Sequence, residues 1–114
     1  MISPEQLGAL KNLYPEILLG EEGGAELLLI KDIRLPKDCD PAIVSALLCP
    51  APRDGYESRL FLDTKIVHKG QGQNWNPNTG SVILGKQWWA VSWKTAKGQT
   101  LLQMLLDHLR AFQS

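Results

Sequence analysis

The chain has 114 residues, 44% of them hydrophobic, and its 12 Lys plus Arg offset 12 Asp plus Glu to a formal net charge of zero. That length suits one ordinary domain, and the apolar content excludes a disordered chain. Charge balance leaves no general pull toward nucleic acid or an anionic lipid surface, whereas near-neutrality favours self-association or contact with a partner.

No apolar run is long enough to cross a bilayer, so no membrane association is expected. Met1-Ile2-Ser3-Pro4-Glu5 lacks a basic stretch leading into an apolar core, so no signal peptide is expected and the cytoplasm is the expected compartment. Cys39 and Cys49 are then expected as reduced thiols.

Ser3 followed by Pro4 predicts a helix start: a hydroxyl cap, then a residue whose missing N–H costs nothing there. Gln6 is placed to complete a capping box with Ser3. Leu7, Leu10 and Tyr14 form its apolar face, and Pro15 ends it. Gly20 to Gly24 reads as a turn. Leu27 to Ile30, continued by Ile33 and Leu35, predicts a strand closed by Pro36. Lys37 to Pro41 is polar and turn-like. Ile43 to Cys49 predicts a second strand, stopped by Pro50-Ala51-Pro52. Arg53-Asp54-Gly55 is a turn, and Leu60 to Val67 predicts a third strand.

Lys69 to Gly80 is a long polar loop, of a length that often carries function. Val82 to Trp93 is strand-like with a break at Gly85. It would turn Trp88, Ala90 and Ser92 to one side and Trp89, Val91 and Trp93 to the other. Thr100 and Gln103 repeat the capping-box pattern. Leu101, Leu102, Leu105, Leu106, Leu109 and Phe112 then predict a C-terminal helix. The order implies a single α+β domain over residues 1–114: an antiparallel β-meander with an N-terminal and a C-terminal helix packed on the sheet.

Little chemistry has a motif. Gly70-Gln71-Gly72 lacks the third glycine and following helix of a phosphate cradle, and Cys39, Cys49, His68 and His108 have no zinc spacing. No cofactor and no metal are expected. His108, beside the leucine stripe, reads as structural or superficial. Cys49 reads as a buried thiol, and Cys39 as a more exposed one whose acidic neighbours raise its pKa. His68 and Ser92 end different strands and could converge as base and nucleophile; equally, His68 could border a loop and Ser92 complete a polar sheet face. Trp88, Trp89 and Trp93 put three of the four tryptophans within six residues. They build either the heart of a core or the frame of a binding surface around Ser92.

The pattern Pro50-Ala51-Pro52, Leu60 to His68 and Asn78 to Leu84 resembles the middle of a ubiquitin-conjugating enzyme. Trp93 and the Leu101–Leu109 stripe fit the tryptophan and leucine-rich helix that follow in that family. Gly85, Lys86, Gln87, Trp88 and Ser92 are similar to the divergent bacterial branch. The resemblance covers about two-thirds of the chain on pattern alone. It implies a UBC-like fold and, as partners, a ubiquitin-like modifier and a ubiquitin-activating-type enzyme. Proteins of that branch are also associated with a metal-dependent deconjugating peptidase.

The chain departs from the family where the chemistry sits. His68 fits the family's tripeptide histidine, but Lys69 and Gly70 replace its proline and its oxyanion-stabilising asparagine. Asn74, Asn76 and Asn78 are the available substitutes. Ile83 occupies the cysteine position, so the thioester carrier is missing. On this resemblance, the family's final helix pair is not expected within residues 1–114. One expectation is that a hydroxyl carries the modifier as an oxyester, on Ser92 or, as the fallback, Ser81, with His68 as base. The other is a non-catalytic variant that binds a modifier or its activating enzyme. Single-stranded nucleic-acid binding on Trp88, Trp89 and Trp93 is a third reading, opposed by the absence of a basic excess.

Overall fold

In the computed structural model, which describes residues 2–113, Ser3 caps helix α1 (Pro4–Leu13). Its hydroxyl accepts the backbone N–H of Gln6 at 3.4 Å. The reciprocal half of the expected capping box is absent. Gln6 Oε1 instead accepts the backbone N–H of Leu101, 3.1 Å away, at the start of the C-terminal helix α2 (Leu101–Leu109). A helix start leaves its first N–H groups without internal partners, so the Gln6 amide satisfies a distant donor and ties the two helices together. At α2 the box is complete, with Thr100 and Gln103 each accepting the other's backbone N–H.

Strand β1 (Ile17–Glu22) is not predicted by the sequence pattern, which assigns Gly20 to a turn. The turn is only Gly23-Gly24, with φ of 60° and 80°. Positive φ at both central residues suits the twist of a two-residue hairpin and favours glycine. This turn joins β1 to β2 (Ala25–Arg34). Gly20 lies inside the strand, paired with Leu27, and Leu84 Cδ1 passes 3.2 Å from where a Cβ would stand.

The main sheet adds β4 (Ile43–Cys49) and β5 (Arg59–Leu62) in the order β1-β2-β4-β5, antiparallel throughout. Registers Leu28↔Leu48 and Leu48↔Leu60 fix which side chains share a face. One face buries Ile17, Leu28, Ile30, Leu48, Leu60 and Leu62 against Leu10 of α1 and Leu101, Leu105 and Leu109 of α2. The 3₁₀ turn Arg110–Phe112 extends that contact through Phe112, whereas Leu106 of the predicted stripe faces outward. The opposite face buries Leu27, Leu47, Cys49 and Phe61 against Ile83, Trp88 and Ala90. Ile83 and Trp88 belong to a hairpin of β8 (Ser81–Ile83) and β9 (Lys86–Trp88), joined at Leu84-Gly85.

The third predicted strand does not run to Val67. β5 stops at Leu62, and Val67–His68 forms β6 in a separate small sheet of order β3-β6-β7, with β3 at Cys39–Asp40 and β7 at Gln71–Gly72. The long polar loop is correspondingly more ordered than expected, holding β7 and a buried Trp75. No described helix is long and apolar enough to cross a membrane. The fold is therefore α+β, with both helices on one face of an antiparallel sheet and a hairpin on the other.

Candidate functional site

After β9 the chain continues beside β5. Leu62 and Trp89 exchange backbone hydrogen bonds of 2.7 and 3.0 Å. Val91 bridges to Trp75, and the N–H of Ser92 donates to the Asn74 carbonyl at 2.9 Å. Along this extended segment Trp88 and Ala90 point into the hairpin-side core while Trp89 and Val91 pack on the helix-side core, the alternation expected from the sequence. Ser92, the next position, is exposed.

Its hydroxyl meets the hydroxyl of Tyr56 at 2.7 Å. Arg53 and Tyr56 exchange backbone hydrogen bonds of 2.9 Å in each direction, closing the Arg53-Asp54-Gly55 turn and fixing Tyr56 at its end. Asn76, from the long loop, donates its Nδ2 to the Tyr56 hydroxyl at 3.0 Å. Three separate segments thus bring Tyr56, Asn76 and Ser92 to one point.

Arg59 holds them there. It is 2% exposed. Its Nη1 donates to Asp54 Oδ2 at 3.0 Å, and its Nη2 donates to the carbonyls of Asn76 at 2.7 Å and Val91 at 3.2 Å. Its guanidinium carbon lies 4.4 Å from the centre of the Tyr56 ring. A buried cation is tolerated only when paired and hydrogen-bonded, and a planar fork can serve several acceptors at once. Hydrogen bonding to Ser92 and then to Asn76, helped by the positive charges of Arg59 and Lys94, holds the Tyr56 phenol below its ordinary pKa against the opposing effect of burial.

The other expected site residues lie elsewhere. His68 sits in β6 opposite Cys39, and its Nε2–H donates to the Lys37 carbonyl at 3.1 Å. Ser81 opens β8 opposite Trp88, half-buried. The serine–histidine contact considered from the sequence is replaced at Ser92 by a serine–tyrosine one. Of the asparagines, Asn76 reaches the site by its side chain and Asn74 by its carbonyl, while Asn78 accepts from Lys65 Nζ at 3.0 Å.

Both thiols are buried. For Cys39 this corrects the expected exposure. The polar turn around it is pinned by β3 pairing with β6, and Cys39 Sγ–H points to the Phe112 carbonyl at 3.7 Å. Burial, with Asp38 adding, pushes its thiol pKa up. Burial likewise raises that of Cys49, whose Sγ–H points to the Ala51 carbonyl at 3.8 Å. Neither is a ready nucleophile.

His108, 3% exposed, bonds through Nε2 to Ser58 Oγ at 2.9 Å, and Ser58 Oγ meets Thr95 Oγ1 at 2.8 Å. Burial, helped by Arg59 and opposed by Asp107, lowers its pKa to about 4. Ser58 is 1% exposed, so its hydroxyl is not presented to solvent as a carrier. The His108–Ser58 pair is a peg that fastens α2 to the chain beside both Tyr56 and Ser92.

The indoles do not share one face. Trp88 is buried with its N–H on the Ile83 carbonyl at 3.1 Å, and Trp93 donates to Asp107 Oδ1 at 3.2 Å. Among the described residues, no group of three or more His, Cys, Asp or Glu side chains is gathered to hold a metal. No family model, curated protein or solved structure matches the chain.

Sequence reasoning missed Tyr56 and Arg59. The available signal was an arginine leading directly into Leu60-Phe61-Leu62, where burial of a cation demands partners.

Proposed function

We propose that the chain is an acyl transferase of the ubiquitin-conjugating type, acting in a bacterial ubiquitin-like modification pathway, with Ser92 as the carrier. The observation that carries this reading is that Ser92 is an exposed residue whose hydroxyl is held at 2.7 Å from a second hydroxyl, in a domain whose two thiols are buried. The succession of helix, four-stranded antiparallel meander, irregular site-bearing segment and leucine-rich helix supports the UBC-like fold that the sequence resemblance implies. The modifier's C-terminus arrives from an activating enzyme as an activated acyl group, rests on Ser92 as an oxyester, and passes to an amine. An ester is less activated toward amines than a thioester, so positioning of the acceptor supplies part of the rate.

The test combines the protein with its modifier, activating enzyme and ATP. The expected product resists thiol reductant, disappears in hydroxide, and is lost in Ser92→Ala. Adduct that survives both Ser92→Ala and Ser81→Ala contradicts a serine carrier.

A second reading is a non-catalytic domain of the same type that binds the modifier or activating enzyme. It is favoured by Leu18, Val82 and Leu84, which are exposed along β1 and the β8–β9 hairpin. It requires binding by the Ser92→Ala and wild-type proteins alike, with no adduct from either.

A further inference from the structure

We infer that Tyr56 is the catalytic base that takes the Ser92 proton, with Arg59 as its positioning residue. The inference rests on Ser92 as the acyl carrier and names the group that makes its hydroxyl nucleophilic. A serine hydroxyl reacts slowly until a base within hydrogen-bond reach accepts its proton, at about 2.6–3.2 Å. Tyr56 Oη lies 2.7 Å from Ser92 Oγ, whereas His68 is engaged with the Lys37 carbonyl.

The surroundings suit an oxygen that alternates between phenol and phenolate. As a phenolate, Tyr56 accepts from both Asn76 Nδ2–H and Ser92 Oγ–H, and the Arg59 guanidinium stands over its ring. As a phenol, it can donate back to Ser92 while still accepting from Asn76. Lys94 adds a second positive charge, and the Asp54 carboxylate is turned to Arg59 and partly offsets that cation. The lowered phenol pKa follows from this arrangement.

In the first transfer, a Ser92 Oγ lone pair attacks the acyl carbon of a thioester held by the activating enzyme. The Oγ proton passes to the Tyr56 phenolate, the C–S bond breaks, and the enzyme's thiolate leaves with its electron pair. In the second transfer, an amine nitrogen attacks the ester carbon, and the C–O bond to Ser92 breaks. Tyr56 returns its proton to the departing Oγ, while the nitrogen releases one proton to solvent. The phenolate is restored, and no oxidant or reductant is involved.

The test uses the whole protein and a small acyl donor, p-nitrophenyl acetate, with acetylation of Ser92 followed by peptide mass across pH. The wild-type rate is expected to rise with pH and level off as Tyr56 ionises. Tyr56→Phe, which keeps the ring over Arg59, is expected to lower the rate by about 100-fold or more and abolish the plateau. His68→Gln is expected to stay within about 2-fold, less than the loss of a base. Replacing Tyr56 by 3-fluorotyrosine, a stronger acid of nearly the same shape, is expected to move the plateau to lower pH, which a purely structural tyrosine would not do.

A Tyr56→Phe rate close to wild type, a plateau unmoved by fluorination, a loss in His68→Gln instead, or no acetylation of Ser92 would each overturn the inference. Normal acetylation without any modifier adduct would refute the conjugation reading and leave Tyr56 as base. A full modifier adduct on Ser92 in Tyr56→Phe would do the reverse.

Discussion

Arg59 is the residue on which the site's geometry depends. Its side chain supplies hydrogen bonds to Asp54, Asn76 and Val91 and lies against Tyr56 and Phe61. Arg59→Met is expected to leave the Asn76 and Val91 carbonyls without their donor and to cost about 2–3 kcal/mol, measured by urea unfolding. Arg59→Lys restores the charge but not the fork, so it should recover less than half of that loss. Stability unchanged in both would mean that the three segments hold together without the guanidinium. Ser92 stood out in the sequence as a candidate among the tryptophans, and Asn76 only as one of three asparagines open to the same role, because the sequence does not show which of them reaches the site. Tyr56 was not legible, because its role depends on two hydroxyls from distant segments meeting.

Elements were legible where a local pattern carried them. Ser3-Pro4 and the Thr100/Gln103 box mark both helix starts, and the Trp88–Val91 alternation assigns those side chains to opposite cores. The pattern failed where contacts distant in sequence decide the outcome. β1 was hidden because Gly20 to Gly24 reads as one turn when the pairing of Gly20 with Leu27 across the hairpin is unknown. The stretch from Leu60 to Val67 was divided because Val67–His68 pairs with Cys39–Asp40 instead of extending β5. Gly80 shows the same dependence at a hairpin end. It has a φ of 84°, and a Cβ there would lie 2.6 Å from the Trp88 carbonyl oxygen and 2.7 Å from Trp89 Nε1. Gly80→Ala therefore combines backbone strain with a collision and is expected to cost at least about 2 kcal/mol. Hydrogen exchange should then quicken first in β8 and β9. A variant as stable as wild type would show that the hairpin shifts freely away from Trp89.

At the scale of the whole molecule, two cores share one sheet, and the His108–Ser58–Thr95 peg joins α2 to the sheet's site end. His108 has a folded pKa of about 4 against 6.5 unfolded, so the unfolded chain takes up a proton first as pH falls. Its contribution to stability is complete above about pH 6.5 and is lost as pH falls from there through 4, for a total of about 3 kcal/mol. Urea unfolding at pH 7.5 and pH 5 should show the decline, and His108→Gln should flatten it. An equal slope in wild type and variant would place the acid sensitivity elsewhere.

The most direct measurement is the attachment site itself. The covalent product formed with modifier, activating enzyme and ATP is digested at low pH, and the modified peptide is sequenced by mass spectrometry. The account predicts the modifier's C-terminal residue in ester linkage on Ser92, undiminished when Cys39 and Cys49 are both replaced by alanine. Attachment to a lysine amine, or to either cysteine, would contradict it.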